Sequence, residues 1–238
     1  MKRMTLDRSF RMSRRIAGAA TRGARLLACM AVFMGALLAL AGQAQAAVVA
    51  AWNMNGIDPL QQTVYAATAG SGTVDFGGLG ASASVLQGTT LGAMKGELAG
   101  DALAAIGTLA NGTSMRLDFG SADVAAAGYT DLTLTFATRR SSTGPSMNRV
   151  EYWSGLGWLT ALEFSSNATT WQLTTVKFTA SQLLADGYGS VRFVLDGATS
   201  TSGSIRFDNI AITGTPAPAP GAIALLGLAG CVGRRRRD

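Results

Sequence analysis

Catalysis that depends on imidazole is excluded at once, because the 238 residues contain no histidine. Ser-His-Asp and Cys-His nucleophiles and most zinc sites go with it. The two cysteines, Cys29 and Cys231, lie in apolar segments near the ends, so the body of the chain has neither a thiol nucleophile nor a disulfide. Glycoside hydrolysis needs only two carboxylates roughly 5 to 10 Å apart, and Glu151 and Glu163 fall on neighbouring expected strands. Scattered acids on an antiparallel sheet ordinarily face solvent, and neither is assigned a catalytic role. Asp208 stands apart. By strand alternation it shares a face with Ile210 and Ile212, which turns its carboxylate toward the core. A carboxylate so placed must be ion-paired, hydrogen-bonded or metal-bound, and Arg206, Arg192 and loop amides are the protein groups on offer. The last chemistry is stacking of sugar rings on exposed indoles. Trp52, Trp153, Trp158 and Trp171 all lie in the body. Interior filling competes for them, but Tyr152 and Trp153 must point to opposite faces of one strand, so one of the two is the more exposed; Trp153 is the candidate carbohydrate contact.

The elements that must position these groups are strands. Residues 131–138 alternate, with Leu132, Leu134 and Phe136 on one face and Thr133, Thr135 and Ala137 on the other. Met115, Leu117 and Phe119 repeat the pattern against Arg116 and Asp118. Further strands are expected at 48–53, 73–76, 149–154, 158–164, 171–179, 190–195 and 204–213. The glycines of Ser154-Gly155-Leu156-Gly157 suit a hairpin that joins Trp153 to Trp158. Eight or nine short strands with glycine-rich turns make an all-β, two-sheet antiparallel sandwich, most simply a jelly roll. The Ala-rich stretch 96–109 is expected to be a short helix or a loop.

The ends carry addresses. Residues 1–25 hold eight basic residues against the single Asp7, an apolar run follows from Leu26 to Ala41, and Ala44-Gln45-Ala46 supplies a small-x-small cleavage site. Residues 1–46 therefore read as a secretory signal peptide. At the other end Pro216, Pro218 and Pro220 alternate with alanines before a thirteen-residue apolar run, 221–233, and the cluster Arg234, Arg235, Arg236 and Arg237. As a helix at ~1.5 Å per residue that run covers about two thirds of a ~30 Å hydrocarbon core, which suits a temporary stop better than a lasting anchor. The arginines would stay on the cytoplasmic side. Twelve of the twenty basic residues lie in these two ends, so the body, 47–214, keeps eight bases against twelve acids. The basic balance of the whole chain thus belongs to its export segments, and binding to nucleic acid by charge loses its support.

The tail, 215–238, resembles the PEP-CTERM sorting signal of Gram-negative bacteria. Pro218-Ala219-Pro220 stands at the Pro-Glu-Pro motif, with Ala219 in place of the usual glutamate, and the apolar segment is shorter than is usual there. The resemblance implies an exosortase-type processing enzyme at the inner membrane, short hydrophobic helices at the two ends, removal of the tail, and delivery to the cell surface or an exopolysaccharide matrix. The body resembles exported bacterial jelly-roll domains through 51–56 (AWNMNG), 132–139 (LTLTFATR), 150–154 (VEYWS), 191–197 (VRFVLDG) and 206–210 (RFDNI). That likeness implies a fold and an extracellular address, with no catalytic residues and no required cofactor. In many carbohydrate-binding jelly rolls an aspartate on the closing strand helps hold a structural calcium, and the likeness gives Asp208 that role, with Asn53 or Asn55 expected nearby. The expected function is a non-catalytic surface or matrix protein. The alternative is a module that binds extracellular polysaccharide, with a glycoside hydrolase third.

Overall fold

The computed structural model describes residues 46–122, 128–166, 170–179, 183 and 187–217. The expected signal peptide up to residue 45 and the sorting-tail residues Pro218, Ala219, Pro220, Arg234, Arg235, Arg236 and Arg237, with the hydrophobic helices expected there, lie outside the described residues. The described residues fall within one compact unit. Its strands are β1 (Ala47–Trp52), β2 (Val64–Ala66), β3 (Ala69–Gly70), β4 (Gly72–Asp75), β5 (Ala83–Gln87), β6 (Asp101–Ile106), β7 (Ser114–Gly120), β8 (Tyr129–Arg140), β9 (Asn148–Trp153), β10 (Trp158–Phe164), β11 (Gln172–Thr179), β12 (Tyr188–Val194) and β13 (Ser204–Pro216). Short 3₁₀ turns fill Gly77–Ser82 and Thr108–Ala110.

These strands form two antiparallel sheets in a jelly-roll-like sandwich. The six-stranded sheet runs β10-β9-β12-β7-β4-β2. The seven-stranded sheet runs β11-β8-β13-β1-β3, with β6 also paired to β13 and β5 to β6. Alternation sends one side of each strand inward: Leu132, Leu134 and Phe136 of β8 meet Val150 of β9 and Val191 and Phe193 of β12 in one buried cluster. Its centre is aromatic. Phe136 lies edge-on to Phe193 at 4.8 Å, and Phe193 is 5.1 Å from Phe207.

The stretch expected as helix or loop around 96–109 contains β6. Its four alanine and leucine residues, Ala102, Leu103, Ala104 and Ala105, are all fully buried. A strand covered on both faces loses the alternation that would reveal it, and burial overrides the helical preference of alanine. Four strands lie beyond the expected set: β2, β3, β5 and β6.

β13 organises the larger sheet. Its first half, 204–207, pairs with β6 and its second half, 210–214, with β1, while β8 runs along the other side. Between the halves the register against β8 slips by one residue at 208–211, and Asn209 takes the left-handed conformation, φ +47°. The strand continues to Pro216, and Ala217 donates its N–H to the Gly128 carbonyl.

Among the described residues no helix is long and apolar enough to cross a membrane.

Candidate functional site

Two rows of side chains cross the outer face of the six-stranded sheet. The inward row Val74, Leu117, Val191 and Tyr152 belongs to the core, so its strand neighbours must face out. In the first outer row Thr73 of β4 pairs with Asp118 of β7, and Asp118 with Ser190 of β12. Trp153 of β9, one position past the Tyr152–Val191 pair, extends this row, and its partner Trp158 of β10 ends it. The second row is Asp75, Arg116, Arg192, Glu151 and Thr160, each paired with the next.

Thr73, Asp118, Ser190 and Trp153 of the first row line a cavity of about 600 Å³ that also touches Tyr188. Trp153 is 43% exposed and Tyr188 57%, an unusual display of aromatic surface for one small area. At the polar end Ser190 donates its hydroxyl to Asp118 Oδ1 at 2.7 Å, and Arg116 Nε bonds Asp118 Oδ2 at 2.8 Å. The turn that brings the tryptophans together is the one the glycines predict: Ser154 donates N–H to the Gly157 carbonyl at 3.0 Å, and Gly155 sits at φ +88°. The indoles then meet edge to face, with centroids 5.6 Å apart and planes at 64°.

In the second row Glu151 is 7% exposed. Arg149 Nε reaches its Oε1 at 3.1 Å, and Arg192 holds its Oε2 through Nε at 2.7 Å and Nη2 at 2.6 Å. Burial pushes the Glu151 carboxyl up, but the hydrogen bonds and charges of Arg192 and Arg149 outweigh it and hold the group below the usual carboxylate range. The Arg192 guanidinium also lies 4.5 Å from the centroid of Trp158. Glu163 is exposed and lines a separate hollow with Arg149 and Asp196. A glycosidase acid must keep a proton near neutrality. Glu151, fully occupied by two guanidinium groups, is built for the opposite state.

No protein-family model matches this sequence, and no curated protein does. Solved structures do. One is the CBM22-1 xylan-binding domain of Xyn10C from Paenibacillus barcinonensis, at 9% identity over 73% of this chain and 97% of that one, with a TM-score of 0.40. Another is the K3 cleaved adhesin domain of Lys-gingipain from Porphyromonas gingivalis, at 17% identity over 58% of this chain and 92% of that one, TM-score 0.34. A third is the N-terminal cellulose-binding domain of β-1,4-glucanase C from Cellulomonas fimi, at 20% identity over 52% and 87%, TM-score 0.35.

Asp208 is fully buried, as its sequence context predicts, but on the other side of its sheet. The bulge at Asn209 breaks the alternation, so Asp208 aligns with Arg206 and Ala137 on the outer face while Ile210 and Ile212 stay in the core. What buries it is the loop 88–100. Thr89 N–H donates to Oδ2 at 2.7 Å and Asn209 N–H to Oδ1 at 2.8 Å. The Asn209 amide in turn donates to the carbonyls of Thr89 and Leu91. Neither Arg206 nor Arg192 pairs with it, since Arg206 bonds the Gln87 carbonyl and Arg192 the distant Glu151. Calcium would need about six to eight oxygens here. Asn55 Oδ1 is already taken by the Asp101 amide and Asn53 Oδ1 by the Asn55 amide. Among the described residues no three His, Cys, Asp or Glu side chains gather to hold a metal ion. The donor set does not fit a calcium cage, and loop amides satisfy the carboxylate.

Of the Tyr152–Trp153 pair, which strand alternation sends to opposite faces, Trp153 is the exposed one. Trp158 follows from the predicted hairpin as its cross-strand partner. Trp52 is wholly interior, and Trp171 is half-buried. Arg192, Asp118 and Ser190 gave no signal, because their place beside Trp153 depends on the order of strands far apart in sequence.

Proposed function

We propose that this protein is a non-catalytic polysaccharide-binding module, and that the outer face of its six-stranded sheet is the binding surface. The observation that carries this reading is the first outer row, in which an exposed indole gives way within two strands to a hydroxyl and a carboxylate. A pyranose ring has the matching halves: an apolar C–H face to lie on Trp153, and a rim of hydroxyls to bond Asp118, Ser190 and Tyr188. The double arginine clamp keeps Glu151 ionised, the opposite of what a glycosidase acid needs, which supports binding without cleavage. The test is affinity electrophoresis of the protein through gels that contain neutral and acidic polysaccharides. At least one gel is expected to retard it, and Trp153→Ala is expected to weaken that retardation about tenfold or more. Migration unchanged in every gel, or retardation indifferent to Trp153→Ala, overturns the reading.

The route to that polysaccharide is read from the ends. Residues 1–46 would direct export, and 215–238 would hold the chain at the inner membrane until an exosortase-type enzyme cleaves within that tail and releases the sandwich to the cell surface or matrix. The proline-alanine hinge, the short apolar run and Arg234 to Arg237 support this order of events.

A further inference from the structure

We propose that Glu151 and Arg192 are positioning residues that set Trp153 for its ligand through Trp158, so that the binding face works by a relay of four side chains on three strands. This rests on the polysaccharide-binding reading and assigns within it which ring meets the sugar and what holds that ring.

The two tryptophans are not equivalent. The Arg192 guanidinium sits over the ring of Trp158, 4.5 Å from its centroid, which covers one face of that indole. Trp158 then meets Trp153 at an interplanar angle of 64°, so it supports its neighbour instead of extending a flat platform. Trp153, more exposed than Trp158, is the ring offered to a ligand.

The position of Arg192 needs its own cause. Its long side chain must cross β9 from β12 to reach Trp158 on β10, and a free arginine would give up considerable rotamer freedom to stay there. Glu151 removes that freedom. It lies directly opposite Arg192 on β9, is nearly buried, and takes both Nε and Nη2 of the guanidinium on one oxygen. Arg149 fixes the other oxygen, so the carboxylate itself cannot swing. The planar guanidinium can accept this in-plane clamp and still lay its face on an indole, a combination that an ammonium group cannot reproduce.

Three variants of the full chain test the relay. Glu151→Gln keeps the shape and removes the charge that clamps Arg192. Arg192→Lys keeps the charge and removes the planar fork, on a residue exposed enough for the fold to survive. Trp158→Ala removes the link. Each of the first two is expected to weaken the exciton circular-dichroism couplet of the paired indoles, and to lower affinity for the retarding polysaccharide about tenfold, the order a lost cation–π contact implies. In a Trp158→Ala background both substitutions are expected to have no further effect on affinity, which a general loss of stability would not reproduce. If Arg192→Lys leaves the couplet intact and affinity within about twofold, the relay is wrong while the Trp153 platform stands. If Trp153→Ala leaves affinity unchanged, the platform fails and the relay with it.

Discussion

Asp208 shows how far a single carboxylate can be displaced from its ordinary chemistry. Burial pushes its carboxyl up, the Thr89 and Asn209 amides pull it back in part, and the negative charges of Glu97 and Asp101 raise it again, to about 7. The folded protein therefore holds a proton that the unfolded chain, with an ordinary aspartate, has released by neutral pH. Its contribution to stability is fully present below the unfolded value and is lost as pH rises through the folded one. No histidine titrates in the same interval. The melting temperature is expected to rise by several degrees from about pH 8 to about pH 5, and to do so far less in Asp208→Asn. A thermal-shift series against pH checks this, and equal slopes in the two proteins would remove Asp208 as the cause. Asparagine keeps one acceptor and turns an N–H₂ toward the other amide, so the variant should also lose about 1–2 kcal/mol at acidic pH. Chelation of calcium is expected to leave the melting temperature where it was. A fall on chelation would return Asp208 to the role of metal ligand.

Elements decide which of these residues could be foreseen. The hairpin β9–β10 was legible because Ser154 to Gly157 announces a turn and its flanking tryptophans must then pair. Alternation in β7 and β8 was equally plain, since each has one solvent face. Asp208 was legible as a buried acid but not in its direction, because one bulge residue reverses the parity on which the reading depends. The clamp of Glu151 by Arg192 joins residues 41 apart in sequence, and nothing local encodes it. Asn209 concentrates the consequences of the bulge: its backbone makes the turn at φ +47°, and its side chain pins two carbonyls of the loop over the sheet. Glycine keeps the first function and deletes the second. Asn209→Gly should therefore leave the core protected while the amides of loop 88–100 exchange faster, by an order of magnitude or more. Asn209→Val forbids the conformation itself and should cost about 2 kcal/mol or more of global stability. Hydrogen exchange and chemical denaturation separate the two outcomes, and identical behaviour of the two variants would contradict this division of labour. Gly88 belongs to the same joint, for an added Cβ would come 2.5 Å from Asp208 Oδ2.

At the scale of the whole chain the charge is divided between the two ends and the body. The full sequence has a net charge of +6 and a pI near 9.9, yet its basic excess sits in the two ends and the 47–214 body carries more acids than bases. The proposed processing would thus invert the sign of the molecule. The described sandwich ends where the proline hinge begins, since β13 is hydrogen-bonded through Pro216 and Ala217, and cleavage beyond that point would leave every pairing of the two sheets intact. A secreted product is accordingly expected to start near Ala47, to lack 221–238, and to bind an anion exchanger at neutral pH, whereas the unprocessed chain binds a cation exchanger. Intact mass and ion-exchange behaviour of protein recovered from the medium and from the membrane fraction measure both properties at once. A surface-located product that keeps its arginines would overturn the processing route. The inversion also bears on recognition: an acidic body has no long-range attraction for anionic polymers, so polysaccharide retardation should depend weakly on salt, as contacts made by an indole and hydroxyls do. A steep loss of binding with added salt would instead point to Arg116, Arg149 and Arg192 as the principal ligand contacts, and would move the site from the first outer row to the second.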